Sequence, residues 1–107
     1  MNKKRSILLN IDVLRKDSSK IDINIEERID SEVKFFIKKL SQKYKIILLS
    51  KYFKINTIKW LKRNQIEKYI YEITTVFLLL YLYIDKELIE KSGGYNKLLE
   101  IISIVKK

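Results

Sequence analysis

The chain has no cysteine, no histidine and no proline among its 107 residues, and only two glycines. Without cysteine there is no disulfide, no thiolate metal site and no thiol nucleophile, and without histidine the commonest metal ligand and general base is missing. Any metal chemistry would have to use carboxylates. Alanine is absent too, while lysine, isoleucine, asparagine and tyrosine are in excess, the bias of a very A+T-rich coding sequence. Long hydrophobic runs are also lacking: the longest, Val76 to Ile84, is about half of the roughly 20 residues a membrane-spanning helix needs. No membrane anchor is expected. The N-terminus, MNKKRSILLNID, starts basic, but Asn10 and Asp12 interrupt its apolar stretch and no small-residue cleavage site follows. It reads as a strand of a cytoplasmic protein. The length suits a single domain over residues 1–107, with a real core but no room for a second module.

Charge of one sign is missing from a whole third of the chain. Between Val33 and Ile66 there is no Asp or Glu, whereas Lys34, Lys38, Lys39, Lys43, Lys45, Lys51, Lys54, Lys59, Lys62 and Arg63 supply ten cations, equal to the net charge of +10. The other thirteen basic residues balance the thirteen acidic ones. Codon bias explains many lysines but not the missing acids. A basic face that draws an anion or polyanion is the functional reading, and a solvated, solubilising face is the plain one.

The periods switch in order along the chain. Ile7 to Ile11 reads as a strand buried on both faces, residues 15–24 as a polar loop, and Asn24 with Glu27 as a capping box that opens a helix. Ile25, Ile29, Val33, Phe36, Ile37 and Leu40 form its apolar stripe. Lys45 to Ser50 is the second strand. A helix over Phe53 to Asn64 turns Ile55, Ile58 and Leu61 inward, sets Trp60 beside that stripe, and leaves Lys54, Lys59, Lys62 and Arg63 mainly outside. Tyr69 to Ile73 and Leu78 to Ile84 read as strands, although so continuous an apolar run also fits a buried helix. After the Gly93-Gly94 turn, a helix over Asn96 to Val105 is apolar nearly all round, which points to deep burial or a homodimer contact through this C-terminal helix. Strands alternating with helices imply an α/β fold: a single small Rossmann-like three-layer domain with a mostly parallel sheet of about four strands.

In such sheets the ligand site lies beyond the strand carboxyl ends. Asn10, Asp12, Ser50 and Asp85 all fall there. Their order and flanks resemble the haloacid dehalogenase (HAD)-like superfamily, as a degenerate member without a cap domain. Asn10-Ile11-Asp12 stands where that family has Asp-x-Asp, and Ser50 in IILLS stands where it has a Ser or Thr. INTIKWLKRNQIEKYIYEIT resembles the family's next helix and strand. TTVFLLLYLYIDKELIEKSGGYNKLLEII resembles its segment around YIDD, with Phe77 near the expected Lys and Lys86 in place of the second acid. The likeness spans about residues 5–103.

The resemblance implies a site that has lost its chemistry. A neutral Asn10 amide is a poor nucleophile, which closes the aspartyl-phosphate route. Moving the nucleophile to Asp12 puts Leu14 at the acid/base position, which fails as well. Magnesium wants hard oxygen ligands and usually carboxylates. Asp85 is the main one left, with Lys86 either in the metal's place or paired with Asp85, so no cofactor is expected. Plainer roles compete: Asp12, Asp85 and Ser50 can each cap the helix after its strand, an anion at a helix N-terminus being the functional reading of Ser50. The tyrosines fit core or rim better than base stacking.

Three classes of function follow. One is a catalytically impaired HAD-like protein acting as a binding or regulatory module, an inhibitor or accessory factor of a larger protein or nucleic-acid partner. Another is direct nucleic-acid or anion binding through Lys51, Lys54, Lys59, Lys62 and Arg63. The last is a minimal magnesium-dependent phosphatase or nucleotidase, whose turnover would fail in Asp12→Asn or Asp85→Asn. The residue at the nucleophile position argues against an enzyme.

Overall fold

The computed structural model describes residues 4–16 and 22–104. Strand β1 (Arg5–Asn10) leads into a 3-10 turn at Ile11–Leu14, followed by helix α1 (Ser31–Lys43), strand β2 (Tyr44–Leu49) and helix α2 (Lys54–Arg63). A second 3-10 turn, Glu67–Tyr69, precedes strand β3 (Ile70–Thr74), and the short strand β4 (Tyr83–Ile84) is followed by helices α3 (Lys86–Ser92) and α4 (Tyr95–Ile104). The domain is α/β and Rossmann-like, with four parallel strands in the order β3-β2-β1-β4, flanked by four helices.

The central strands are buried on both faces, and the sequence shows why: Ile7-Leu8-Leu9 and Ile46-Ile47-Leu48 leave no polar residue for either side. Ile7, Leu9, Ile46, Leu48 and Ile84 share one face. They join a single core with Val33, Phe36, Ile37 and Leu40 of α1, Trp60 and Leu61 of α2, Ile89 of α3, and Leu98 and Ile102 of α4. All four helices therefore pack on that face. Leu8 and Ile47, on the opposite face, are buried outside that core. There the Phe77 ring stands edge-on to Tyr83, 4.9 Å between centroids, which sets the β3–β4 connection over the sheet as the third layer.

Several local expectations are corrected. Asn24 and Glu27 do not open α1. They form an isolated turn in which the Asn24 side chain accepts from the Glu26 N–H and its carbonyl from the Glu27 N–H, and α1 begins after Asp30. The reason is electrostatic: the Glu27 carboxylate is drawn to the guanidinium of Arg15, whose side chain is fully buried, so it cannot reach back to cap a helix. Ile25 is accordingly only half-buried. In α2 the inward stripe is Thr57, Trp60 and Leu61. Ile55 faces solvent at 62% exposure, and Trp60, expected at the flank, is wholly buried. Its indole N–H donates to the Glu27 carbonyl at 2.9 Å, so a hydrogen bond to the 22–30 segment fixes the helix rotation. The run from Leu78 to Ile84 is a strand only at Tyr83–Ile84. α3, capped by Asp85, is ended by Gly93 at φ 98°, a left-handed position that glycine adopts without a Cβ penalty. Of the loop expected at 15–24, residues 17–21 lie outside the described residues, as does Val105 at the end of α4.

The apolar excess of α4 is partly explained by packing, since Leu98 and Ile102 enter the core while Ile101 stays exposed. No helix among the described residues is long and apolar enough to cross a membrane.

Candidate functional site

The chain steps from β1 to β2 to β3, then returns to the other side of β1, so strand order reverses between β1 and β4. That crevice is where a parallel sheet offers a ligand site. The register brings the expected residues there together: Asn10 lies opposite Leu49, one residue before Ser50, and Leu9 lies opposite Ile84, one residue before Asp85.

Their polar atoms are already engaged, mostly with neighbouring backbone and hydroxyl groups. The Asn10 Oδ1 accepts from the Asp12 N–H at 2.9 Å and caps the 3-10 turn. Its Nδ2 donates to the Tyr83 hydroxyl at 2.9 Å. Both ends of the amide are thus held. Ser50 is buried and its Oγ accepts from the Tyr52 N–H at 3.1 Å. Thr57 Oγ1 donates to the Phe53 carbonyl, so the 3.1 Å contact between the two hydroxyls is a donation from Ser50 to Thr57. This chain anchors the approach to α2 and leaves Ser50 no free proton. Asp85 caps α3, its Oδ1 accepting from the Leu88 N–H at 2.9 Å. Lys86 opens that helix, half-buried, with no ion pair among the described residues.

Asp12 is the exception. Its Oδ2 lies 3.9 Å from Lys51 Nζ, and its Oδ1 is buried without a hydrogen-bond partner. One open carboxylate oxygen beside a lysine does not fit magnesium, and no group of three or more acidic side chains that could hold a metal ion occurs among the described residues. Thr57 was not singled out from the sequence, and Tyr83 only as one of the tyrosines weighed for base stacking. Alternation identifies Tyr83, two residues before Asp85 and on the same face as Asn10 in the neighbouring strand. Nothing local identifies Thr57.

A second polar cluster lies just behind, also missed. Arg15 donates to both Glu27 oxygens, at 3.0 and 3.3 Å, to the Tyr52 hydroxyl at 2.6 Å and to the Asp22 carbonyl at 3.2 Å. The Glu27 hydrogen bonds raise its pKa above the usual arginine value, against the opposing effect of burial. Beside it the Tyr95 hydroxyl donates to the Val13 carbonyl at 3.0 Å, and burial, then the charges of Glu32 and Asp30, push that phenol up. No short-range pattern marks Arg15, because the side chains of Glu27 and Tyr52 that it holds are 12 and 37 residues away.

The basic residues of the second candidate set are exposed on α2 and its approach. Arg63 is paired with Glu26 at 2.6 Å and Lys51 with Asp12. Lys54, Lys59 and Lys62 make no ion pair among the described residues and share the outer face of α2 with Ile55. Four clefts are lined by described residues, the largest about 500 Å³ between α1 and α4, and none of these four includes Asn10, Asp12, Ser50, Asp85 or Lys86. Compared with protein-family models, with curated proteins and with solved structures, the chain matches none of them.

Proposed function

We propose that the chain is a HAD-like domain without phosphoryl-transfer activity that works as a binding or regulatory module. The observation that carries this reading is Asn10: at the position the resemblance gives to the nucleophile stands an amide held at both ends, by the Asp12 N–H and the Tyr83 hydroxyl. The engaged Ser50 hydroxyl and the helix-capping Asp85 add to it. The partner is addressed through the outer face of α2, where Lys54, Lys59 and Lys62 stand without counter-charges among the described residues. A steady magnesium-dependent hydrolysis of a phosphomonoester by the purified protein would defeat the proposal. The same assay on Asn10→Asp asks whether the nucleophile alone is missing, and no turnover is expected there either, because Lys86 still stands in place of the second acid and Asp85 still caps α3.

Nucleic acid is the second reading of the same face, favoured by those three unpaired lysines. Its signature is an affinity that falls with salt at a log–log slope of about −0.9 per phosphate neutralised, so near −3 for three contacts on duplex DNA. An acidic protein partner gives a salt dependence without competition by nucleic acid.

A further inference from the structure

A cleft of about 370 Å³ opens at the amino ends of β2 and β3, the end of the sheet opposite Asn10, Ser50 and Asp85. Lys4, Lys45 and Lys68 line it together with Tyr44, Tyr69 and Tyr71, and no acid does. None of these lysines makes an ion pair among the described residues. Glu67 and Glu72, the acids nearest in sequence to Lys68, line a separate cleft against α2. Lys4 Nζ instead donates to the Ser41 carbonyl at 2.8 Å, Lys45 Nζ stands 4.8 Å from the centre of the Tyr71 ring, and Lys68 Nζ stands 5.4 Å from that of Tyr69. Three ammonium groups around one hollow repel one another, and a carbonyl and two ring faces answer them only in part. An anion completes the cleft. We propose that it holds a single strand of nucleic acid, with phosphates among Lys4, Lys45 and Lys68 and a base on the Tyr71 ring.

The tyrosines select among anions. Tyr71 is 62% exposed although it stands within β3, so a large aromatic surface is left to water at the mouth of a basic cleft. Tyr81 is exposed too, but it is held: Arg5 lies over its ring at 4.3 Å and Tyr44 stacks against it at 5.9 Å. That group braces the wall, and Tyr71 is the open ring. Cations beside an open ring suit a nucleotide, whose phosphate takes the charge and whose base takes the π face. An acidic peptide uses the lysines and leaves the ring idle. Only an unpaired base reaches such a ring, because the bases of a duplex are stacked on their neighbours. This cleft is separate from the lysines on the outer face of α2 and from the strand-end cluster, so it does not rest on the function proposed above.

Fluorescence anisotropy of a labelled oligothymidylate with the full chain, from low to rising salt, reads the result. Saturable binding is expected, and weaker binding of the same strand once it is paired with oligoadenylate. Tyr71→Ala, at an exposed position, should weaken it by roughly tenfold or more, and Tyr71→Phe should keep it, since the ring and not the hydroxyl takes the base. Lys45→Gln and Lys68→Gln should each lower the affinity and flatten the log–log salt slope by about 0.7. Lys91→Gln, which takes the same charge out of α3, should leave that slope unchanged. Each variant is checked for folding by circular dichroism. Absence of binding at low salt overturns the proposal. So does equal affinity for the duplex, or indifference to Tyr71→Ala, either of which leaves only a general attraction of charge. Binding that is lost on charge reversal at Lys54, Lys59 and Lys62 but kept in the cleft variants overturns it by moving the contact to α2. Tighter binding of polyglutamate than of the oligonucleotide overturns it by making the partner an acidic protein. None of these outcomes bears on phosphoryl transfer, so the reading of the strand-end cluster stands or falls separately.

Discussion

Two polar clusters lie next to each other beyond the carboxyl ends of β1 and β2, and they are built differently. Asn10, Asp12, Ser50 and Asp85 bond mainly to backbone and to residues two to seven positions away, Tyr83 apart. Arg15 is a buried charge that ties together the 22–30 segment and the approach to α2. One cluster finishes the ends of individual elements; the other holds separate parts of the chain in place. Buried charge is a common mark of catalysis, yet the contacts of Arg15 are those of a structural tie, while Asn10 and Asp85 cap the turn and helix that follow their strands.

The contrast is sharpest under mutation. Arg15→Ala leaves the Glu27 carboxylate and the Tyr52 hydroxyl without their partner, and should cost about 3–5 kcal/mol in urea unfolding, a large part of the roughly 5–15 kcal/mol of a typical domain. Arg15→Lys should recover little of it, because an ammonium cannot reproduce the bidentate fork. A loss within about 1 kcal/mol for Arg15→Ala would break the comparison. Asp85→Ala, which removes a helix cap, should cost about 1 kcal/mol by the same assay. Asn10→Asp keeps an acceptor for the Asp12 N–H and for a rotated Tyr83 hydroxyl, so its stability should change by no more than about 1 kcal/mol.

Much of the fold was legible in the residues, and the failures have physical causes. Ile7-Leu8-Leu9 and Ile46-Ile47-Leu48 marked buried parallel strands because no residue in them suits water. The stripe Val33, Phe36, Ile37 and Leu40 marked α1 by its spacing, and all four are buried. The rotation of α2 was not legible, since Ile55, Ile58 and Leu61 make as regular a stripe as Thr57, Trp60 and Leu61. A tertiary bond from the Trp60 indole decides between them. The start of α1 was misplaced for a similar reason, Glu27 answering a buried cation twelve residues earlier. The convergence of Asn10, Ser50 and Asp85 at adjacent strand ends followed from the α/β pattern, whereas the Tyr83 and Thr57 contacts depend on register and side-chain direction.

Smaller effects distinguish the surface from the interior. Charge reversal at Lys54, Lys59 and Lys62 should weaken binding to an anionic partner and flatten its salt dependence while leaving unfolding nearly unchanged. A shift in the urea midpoint as large as that of Arg15→Ala would mean that α2 depends on these lysines for folding. Alkaline titration probes the half-buried phenols. Burial pushes Tyr95 and Tyr44 above their ordinary value of 10.0. A group with a raised folded-state pKa gives stability that is full below its unfolded value and declines as pH climbs through the folded one. Stability should therefore fall as pH rises above about 10, and Tyr95→Phe should remove part of that fall.

If the strand-end cluster is closed to phosphoryl chemistry, as proposed above, it takes up no mimic of a phosphoryl group. Calorimetric titration of the protein with tetrafluoroberyllate in the presence of magnesium tests it most directly. The account predicts no saturable heat with the wild type. Stoichiometric, magnesium-dependent binding that disappears in Asp12→Asn would contradict it and restore the site as a phosphoryl-transfer centre.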